Sequence, residues 1–340
     1  MKLRVRVFSL PLRHTFTIAH GSRDEITTVV VELADGDHRG YGESQAIDYY
    51  GVSAEAMAEQ LSSVRDQIES TAWETPEEFW HAMLPHLGEH RFALCALDEA
   101  AHDLWGKRLG QPVWKLWGLD TTRTVPSDYT IGLASIEVMI AKLREFDGWP
   151  IYKIKLGTDH DLEIVRALRQ HTDAVFRVDA NTAWTPEQTI RNALELRELG
   201  VEFIEQPLRA DDVEGMRRVR SEVALPVIAD ESCLVEADVE RCAELFHGIN
   251  IKLTKCGGMT PARAMIRRAR ELGLSVMVGC MTESSIGISA IAQLLPLLDY
   301  VDMDGAVLID RDLADGVRLE RGRAIYPATP GNGVTLHADL

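Results

Sequence analysis

The segment Tyr152-Lys153-Ile154-Lys155-Leu156 carries two lysines inside an otherwise apolar run. Because side chains alternate between the two faces of a β-strand, Lys153 and Lys155 are expected to point to the same side. Burying a charged group is costly unless other charges compensate it. The segment therefore predicts a buried strand whose interior face carries a functional pair of lysines.

Polar residues recur at the ends of apolar runs, with a nearly constant spacing, on both sides of this segment. The successive intervals are 25, 24, 26, 25, 25, 25 and 24 positions. The eight residues are Thr130, Lys155, Asp179, Glu205, Asp230, Lys255, Cys280 and Asp304. This period fits a strand, a loop, a helix and a second loop, and such repetition implies parallel strands with right-handed crossovers. Eight repeats predict a closed barrel within residues 121–311.

The expected barrel strands can be assigned from the apolar runs. They are 127–132, 151–156, 175–180, 202–205, 226–229, 249–253, 275–278 and 300–303. No long helical pattern follows Asp304. The fold class predicted for the chain is therefore α/β, with a (β/α)7β barrel of the TIM type that lacks its last helix.

Residues 1–120 have a different pattern and are predicted to form an α+β capping domain, which the tail 312–340 completes. Strands are indicated by alternation or β-branched residues at 2–8, 26–33 and 40–43. Helix signals follow, namely a capping box that begins at Thr75 and a helix over 91–109 that Gly110 ends. The segments 14–23 and 46–52 fit neither pattern, and both mobile lids and plain surface hairpins agree with their composition.

The net charge of −17, from 36 basic and 53 acidic residues among 340, disfavours nucleic acid and anionic membranes as partners. Solubility alone is the simpler explanation of this charge. The five cysteines are scattered without a CxxC spacing, and no signal peptide or membrane-spanning run is present. These features predict a cytoplasmic protein with reduced thiols and without a zinc site, and they leave a homo-oligomer open.

Three consecutive predicted strands end in carboxylates, Asp179, Glu205 and Asp230. Three acids that converge in an apolar setting repel one another unless a cation neutralises them. Ligand sets made only of oxygen suit a hard ion such as Mg²⁺. The alternative is that one or two of these acids pair with arginine or cap a loop.

Lys155 and Lys255 are predicted at the ends of strands two and six, which lie opposite each other in an eight-stranded ring. A carbon acid held at the metal would then have one amine on each face of its α-carbon. The alternative for Lys255 is a solvated loop lysine. Asp302 and Asp304 would share one face of strand eight, where they could bind a cationic end of the substrate, or they could belong to a surface turn.

These segments resemble the muconate-lactonizing subgroup of the enolase superfamily, and within it the dipeptide epimerases. The resemblance covers essentially the whole chain. It rests on Lys153-Ile154-Lys155, Asp179-Ala180-Asn181, Glu205-Gln206-Pro207, Asp230-Glu231-Ser232, Ile251-Lys252-Leu253-Thr254-Lys255, Gly279-Cys280-Met281 and Asp302-Met303-Asp304, together with the segment from Ile18 to Arg23.

The resemblance implies a role for each matching residue. Asp179, Glu205 and Asp230 would bind Mg²⁺, and Lys155 and Lys255 would be the acid/base pair, assisted by Lys153. The expected substrate-binding residues are Asp302 and Asp304, which would hold an α-ammonium, with Thr130, Cys280, Met281, His20 and Arg23. Some relatives carry arginine where His20 stands, which leaves Arg23 as the nearby cation for an acidic substrate side chain.

The sequence therefore predicts a Mg²⁺-dependent dipeptide epimerase that inverts the α-carbon of the C-terminal residue of L-Ala-D/L-Glu through an enolate. N-acylamino acid racemisation, dehydration or cycloisomerisation would use the same lysines and metal without needing the aspartate pair. A Schiff-base lyase would use a single barrel lysine. A barrel retained as a binding protein explains neither the opposed lysines nor the three acids.

Overall fold

The computed structural model describes residues 1–19 and 21–338. The chain begins with a three-stranded antiparallel sheet in the order β1-β2-β3. Its strands are β1 (Lys2–Ile18), β2 (Gly21–Asp35) and β3 (His38–Gln45). Residues 14–18 belong to β1 and residues 21–23 to β2, and the two strands pair from Phe16 with Arg23 to Ile18 with Gly21. His20, predicted to bind substrate, lies outside the described residues.

Helices pack on one face of this sheet. They are α1 (Ala54–Ser63), α2 (Arg65–Ser70), α3 (Pro76–Leu87), α4 (Arg91–Leu109) and α5 (Val113–Leu116). The predicted capping box at Thr75 and the stop at Gly110 are both present. Gly42 of β3 lies so close to the backbone of α4 that a Cβ atom would collide with it. This close approach buries the sheet face against α4.

The second part of the chain is a parallel eight-stranded sheet whose strands follow one another in chain order. The strands are β4 (Tyr129–Ile131), β5 (Ile151–Lys155), β6 (Val175–Asp179), β7 (Val201–Glu205), β8 (Val227–Ala229), β9 (Gly248–Ile251), β10 (Ser275–Gly279) and β11 (Tyr300–Asp302). A β-bridge between Ser127 and Val301 closes the ring. The predicted (β/α)7β barrel with an N-terminal capping domain is confirmed.

Helices connect the strands on the outside of the barrel. They are α6 (Ile136–Glu145), α7 (Asp161–Arg169), α8 (Pro186–Glu198), α9 (Val213–Glu222), α10 (Val239–Leu245), α11 (Leu253–Cys256), α12 (Met259–Glu271), α13 (Ser285–Ala292) and α14 (Gly305–Leu308). Short 3₁₀ turns lie at Asp48–Tyr50, Glu236–Asp238 and Leu295–Leu297. After the last strand the described residues contain only the four-residue helix α14 and then short strands, so no long eighth outer helix follows β11.

The tail forms β12 (Ala314–Asp315), β13 (Arg318–Glu320), β14 (Arg323–Ile325) and β15 (Thr335–Leu336). The Asn332 amide N–H donates to Asp103 Oδ1 of α4 at 2.8 Å. The Ser127 amide N–H donates to the Gly322 carbonyl beneath the barrel at 2.8 Å. We propose that residues 1–120 and 312–340 form the capping domain and 121–311 the barrel, with the tail joining them.

The lower end of the barrel is closed by side chains. Arg177 is 2% exposed and lies between the rings of Phe203 and Tyr300. Its guanidinium donates to Asp128 at 2.8 Å and to Glu202 at 2.9 Å. Open space therefore remains at the carboxyl ends of the strands, beneath the capping domain. No helix within the described parts of the chain is long and apolar enough to cross a membrane.

Candidate active site

The three predicted carboxylates lie at the carboxyl ends of three adjacent strands. Asp179 and Glu205 end β6 and β7 in register with each other, and Asp230 directly follows β8. All three are at most 2% exposed. None of them pairs with an arginine among the described residues, and Asp179 Oδ1 also accepts the Asn181 N–H of the following loop at 2.9 Å. They supply only carboxylate oxygens, so the donor set fits a hard divalent cation.

The ammonium group of Lys153 lies among these carboxylates. Its Nζ is 2.8 Å from Glu205 Oε2, 3.3 Å from Asp179 Oδ2 and 2.8 Å from Asp302 Oδ2. Burial favours the neutral amine, but the adjacent acids Asp302 and Glu205 raise the pKa of Lys153 well above its usual value. Lys153 therefore remains cationic and fixes the positions of three carboxylates at once.

The neighbouring lysines set the charge state of the acids in turn. Lys155 Nζ lies 2.6 Å from Asp179 Oδ2. Burial alone would raise the pKa of Asp179, but Lys155 and Lys153 lower it overall. The pKa of Asp230 is lowered in the same way by Lys252 and Lys255, against the effect of burial. Burial outweighs the effect of Lys153 at Glu205 and raises the pKa of that carboxyl.

Lys255 does not occupy the place expected for it. Strand β9 ends at Ile251, and Lys255 lies in the helical turn α11, with a side chain 1% exposed. Its Nζ donates to the Asp230 carbonyl at 2.6 Å and to Asp230 Oδ1 at 2.5 Å. It is absent from the lining of the cavity that holds Lys155, and it borders a separate depression next to Leu234. The expectation that Lys255 ends strand six and faces the substrate thus differs from the structure.

Lys252 occupies that place instead. It is the first residue after β9, it lines the same cavity as Lys155, and its Nζ lies 3.1 Å from Asp230 Oδ2. Sequence reasoning missed it because the 25-residue rhythm selected Lys255, whereas Lys252 follows Asp230 by only 22 positions (252 minus 230). The signal that could have identified it is the apolar run Ile249–Ile251, which Lys252 directly follows.

Asp302 and Asp304 both line the cavity. Asp302 uses Oδ2 to accept from Lys153, while its Oδ1 has no hydrogen-bond partner among the described residues. Burial would raise the pKa of Asp302, but Lys153 lowers it to about 2. Asp304 accepts the Thr130 amide N–H at 2.6 Å, and burial with the nearby Asp302 charge raises its pKa to about 8. Of these two carboxyl groups at the end of strand β11, Asp302 is therefore the one that carries the negative charge.

Other predicted residues also reach the cavity, which has a volume of about 120 Å³. Thr130, Cys280, Met281 and Arg23 all line it. The capping domain contributes Phe16, Ile18, Gln45, Ile47, Tyr49 and Tyr50 to its outer wall. The segment 46–52, for which the sequence left two alternatives, therefore lies over the strand ends.

Supporting residues that the sequence did not single out hold the carboxylates in place. Asn250 Nδ2 donates to Glu205 Oε1 at 2.8 Å. Gln206 Oε1 accepts the amide N–H groups of Asp230 and Ser232 at 2.9 and 3.1 Å. Gln206 itself has a φ of 32°, in the sparsely populated left-handed region. Such strain directly after the strand end is typical of a functional site.

Comparison with known proteins gives a consistent result. Residues 2–118 match the N-terminal domain model of mandelate racemase / muconate lactonizing enzyme, and residues 137–340 match the model described as enolase C-terminal domain-like. The chain is 54% identical over 338 residues to an L-Ala-D/L-amino acid epimerase of Maribacter sp., covering 99% of this chain and 100% of that one.

Two further relatives agree. An L-Ala-D/L-amino acid epimerase of Flavobacterium johnsoniae is 52% identical over 336 residues, covering 99% of this chain and 100% of that one. The crystal structure of a dipeptide epimerase from Methylococcus capsulatus, complexed with Mg and the dipeptide L-Arg-D-Lys, superposes with a TM-score of 0.91 at 33% identity. That superposition covers 99% of this chain and 100% of the other.

Proposed function

Because this chain belongs to the mandelate racemase / muconate lactonizing enzyme family of the enolase superfamily, we propose that it is a Mg²⁺-dependent dipeptide epimerase. The protein is an isomerase, and the reaction inverts the α-carbon of the C-terminal residue by proton transfer between two lysines. Relatives named as epimerases, 54% and 52% identical over nearly the whole chain, support this assignment.

The observation that carries the mechanism is the opposition of Lys155 and Lys252 across one cavity. Their strands β5 and β9 are the second and sixth of the eight-stranded ring, so the two amines face each other from opposite walls. A substrate α-carbon between them meets one amine on each face. One lysine removes the α-proton and the other returns a proton to the opposite face, which inverts the centre.

Asp179, Glu205 and Asp230 would hold the Mg²⁺ ion, as their oxygen-only donor set fits it. When bound, Mg²⁺ supplies positive charge that stabilises the negative charge developing on the substrate carboxylate. Lys153, which is 1% exposed and touches two of these acids, adds a fixed positive charge beneath them. Its role is therefore to position and neutralise, and not to exchange protons with the substrate.

The far end of the cavity suits the free amino end of a dipeptide. Asp302 offers a buried carboxylate oxygen without a partner in the described chain, and Asp304 lies beside it. An N-acylated amino acid has no ammonium to place there. This corner therefore favours dipeptide epimerisation over N-acylamino acid racemisation, the nearest alternative within the same family.

We further propose that the second residue of the substrate includes glutamate. Arg23 is half-buried at the cavity wall, and its guanidinium makes no hydrogen bond or ion pair within residues 1–19 and 21–338. An unpaired cation at the rim of a cavity in a protein of net charge −17 offers a counter-charge to an acidic side chain. Apolar residues that line the same cavity, among them Phe16 and Ile47, also suit uncharged side chains.

The test is incubation of the purified protein with Mg²⁺ and a dipeptide library in D₂O. Inversion exchanges the α-proton with solvent, so each substrate should gain about one mass unit, and chiral chromatography should show both epimers. L-Ala-L-Glu is expected among the substrates, and N-acetyl-L-Glu is not. Failure of every dipeptide to incorporate deuterium would rule out the proposed function.

A further inference from the structure

Gln45, the last residue of β3, reaches from the capping domain into the cavity. Its side chain is buried, with 1% of the residue exposed, and it lines the same space as Lys155, Lys252 and Asp302. Its Oε1 accepts the backbone N–H of Thr282 at 3.0 Å. This contact fixes the orientation of the amide, because the reversed amide would set its NH₂ group against another donor.

The amide nitrogen of Gln45 is left without an acceptor. Nε2 is buried and makes no hydrogen bond to any residue that the structure describes. Buried donors in native proteins are nearly always paired with protein, water or ligand. A donor that is oriented by one contact and unpartnered at its other end, on a cavity wall, points to a ligand acceptor.

The place of Gln45 shows which part of the ligand it faces. Thr282 follows β10, the seventh barrel strand, which pairs with β11 and hence adjoins Asp302. The proposed function puts the substrate ammonium at Asp302 and the substrate carboxylate at Asp179, Glu205 and Asp230. Gln45 therefore lies near the N-terminal residue of the dipeptide.

We propose that Gln45 is a substrate-binding residue that donates a hydrogen bond from Nε2 to an acceptor oxygen of the first residue of the dipeptide. This inference rests on the proposed function. Two oxygens have the required chemistry, the peptide carbonyl and a side-chain oxygen such as the serine hydroxyl. They can be distinguished because only the first is present in every dipeptide.

The experiment compares three substrates that differ at the first residue only: L-Ala-L-Glu, L-Ser-L-Glu and L-2-aminobutyryl-L-Glu. The last two are nearly isosteric, with a hydroxyl replaced by a methyl group. Two variants are measured at about pH 9, above the pKa of about 8 that burial gives the nearby Glu283 carboxyl, so that a carboxyl at position 45 is ionised. Gln45→Met removes both amide contacts, while Gln45→Glu keeps an oxygen that accepts the Thr282 N–H and replaces the donor with a charged oxygen that cannot donate.

Both variants should lower kcat/KM by about three- to tenfold, which is the effect expected for the loss of one neutral hydrogen bond. An equal fall on all three substrates would identify the peptide carbonyl. A fall on L-Ser-L-Glu alone, which abolishes the preference for serine over 2-aminobutyrate, would identify the side-chain oxygen. Either pattern supports the proposal.

Unchanged kcat/KM in both folded variants would show that Nε2 meets only water, and would overturn the inference. A fall in kcat/KM in Gln45→Met that is absent in Gln45→Glu would show that only the contact with Thr282 matters. That result would also overturn the inference. If the wild type itself turns over no dipeptide, the proposed function fails and this inference falls with it. Turnover by the wild type thus separates the two failures.

Discussion

The ammonium group of Lys255 holds Asp230 from the side away from the cavity, at 2.6 Å from its carbonyl oxygen and 2.5 Å from Oδ1. Lys252 contacts the other carboxylate oxygen, Oδ2, at 3.1 Å from the cavity side. Two lysines three residues apart therefore clamp one carboxylate between them. Only the second of these contacts leaves an amine beside the substrate.

We expect Lys252→Ala to abolish epimerisation, with a loss of roughly 10²–10⁴-fold, as for removal of a general acid or base. One-sided exchange of the α-proton should survive, because Lys155 remains on the other face. Deuterium incorporation into each separate epimer in D₂O measures this. Lys255→Met is the matched comparison, and it should keep exchange from both epimers while weakening metal binding. Epimerisation at the wild-type rate by Lys252→Ala would refute the assignment.

Removal of divalent metal should abolish activity, and Mg²⁺ should restore it, since three buried carboxylates at strand ends form the predicted site. Because Mg²⁺ should bind the folded protein and not the unfolded chain, it should also raise the free energy of unfolding, by about 2.7 kcal/mol at a Mg²⁺ concentration of 100 times Kd. Asp179→Asn should reduce both effects. The measurements are initial rates and thermal unfolding with chelator and with added Mg²⁺. Full turnover in chelator would exclude a metal requirement.

Asp302→Asn should weaken turnover of L-Ala-L-Glu by one to two decades in kcat/KM, and Asp304→Asn should weaken it less, because the raised pKa of Asp304 leaves that carboxyl largely uncharged at neutral pH. A charge-assisted contact to an ammonium is worth on the order of 1.5–3 kcal/mol. The same changes should matter much less for the N-acetylated dipeptide, which has no ammonium. The test is to measure kcat/KM of both variants on both compounds. Equal falls on the two compounds would mean that the two aspartates have a structural role.

Arg23→Met should lower kcat/KM for L-Ala-L-Glu by about tenfold, because it removes the cation expected to face the substrate carboxylate. The same variant should leave L-Ala-L-Leu unchanged, since leucine has no charge at this place. Steady-state kinetics on the two dipeptides provide the test. An equal fall in kcat/KM on both substrates would show that Arg23 does not bind the side-chain carboxylate of the substrate.

Glu283→Gln should stabilise the protein at alkaline pH. Burial, and secondarily Glu43, raise the pKa of Glu283 to about 8, while its Oε1 accepts the Met281 N–H. The buried Glu43 and Glu99 also face this carboxyl, and their pKa values are raised by burial. The folded state thus binds a proton more tightly than the unfolded state, and stability falls as pH rises from the unfolded pKa through about 8.

The glutamine variant cannot ionise, so its advantage in free energy of unfolding should grow from near zero at about pH 5 to a few kcal/mol at about pH 9. Thermal unfolding of both proteins across this range measures the difference. Glu244→Gln, a change at an exposed carboxyl, serves as the control and should leave the pH profile as in the wild type. A constant difference at all pH values would contradict the argument.

The order of strands and the three carboxylates could be predicted from the sequence, because both follow from local pattern. Each barrel strand is a short apolar run, and each predicted run lies within two residues of its observed ends. Parallel strands in chain order bring their carboxyl ends to one rim, so Asp179, Glu205 and Asp230 had to meet. No knowledge of side-chain contacts was needed for this step.

Which lysine faces the substrate was decided by tertiary structure. Strand β9 ends at Ile251, and the chain then forms the helical turn α11 before Gly257, whose φ is 98°. The side chain of Lys255, which the uniform repeat placed at a strand end, therefore points away from the cavity. The contact between Gln45 and Thr282 spans 237 residues and exists only because the capping domain docks on the strand ends. Periodicity fixes where a strand ends, since it reflects burial of one short run at a time. The direction of a side chain beyond that end depends on turns and on domain packing, which couple residues far apart in the chain.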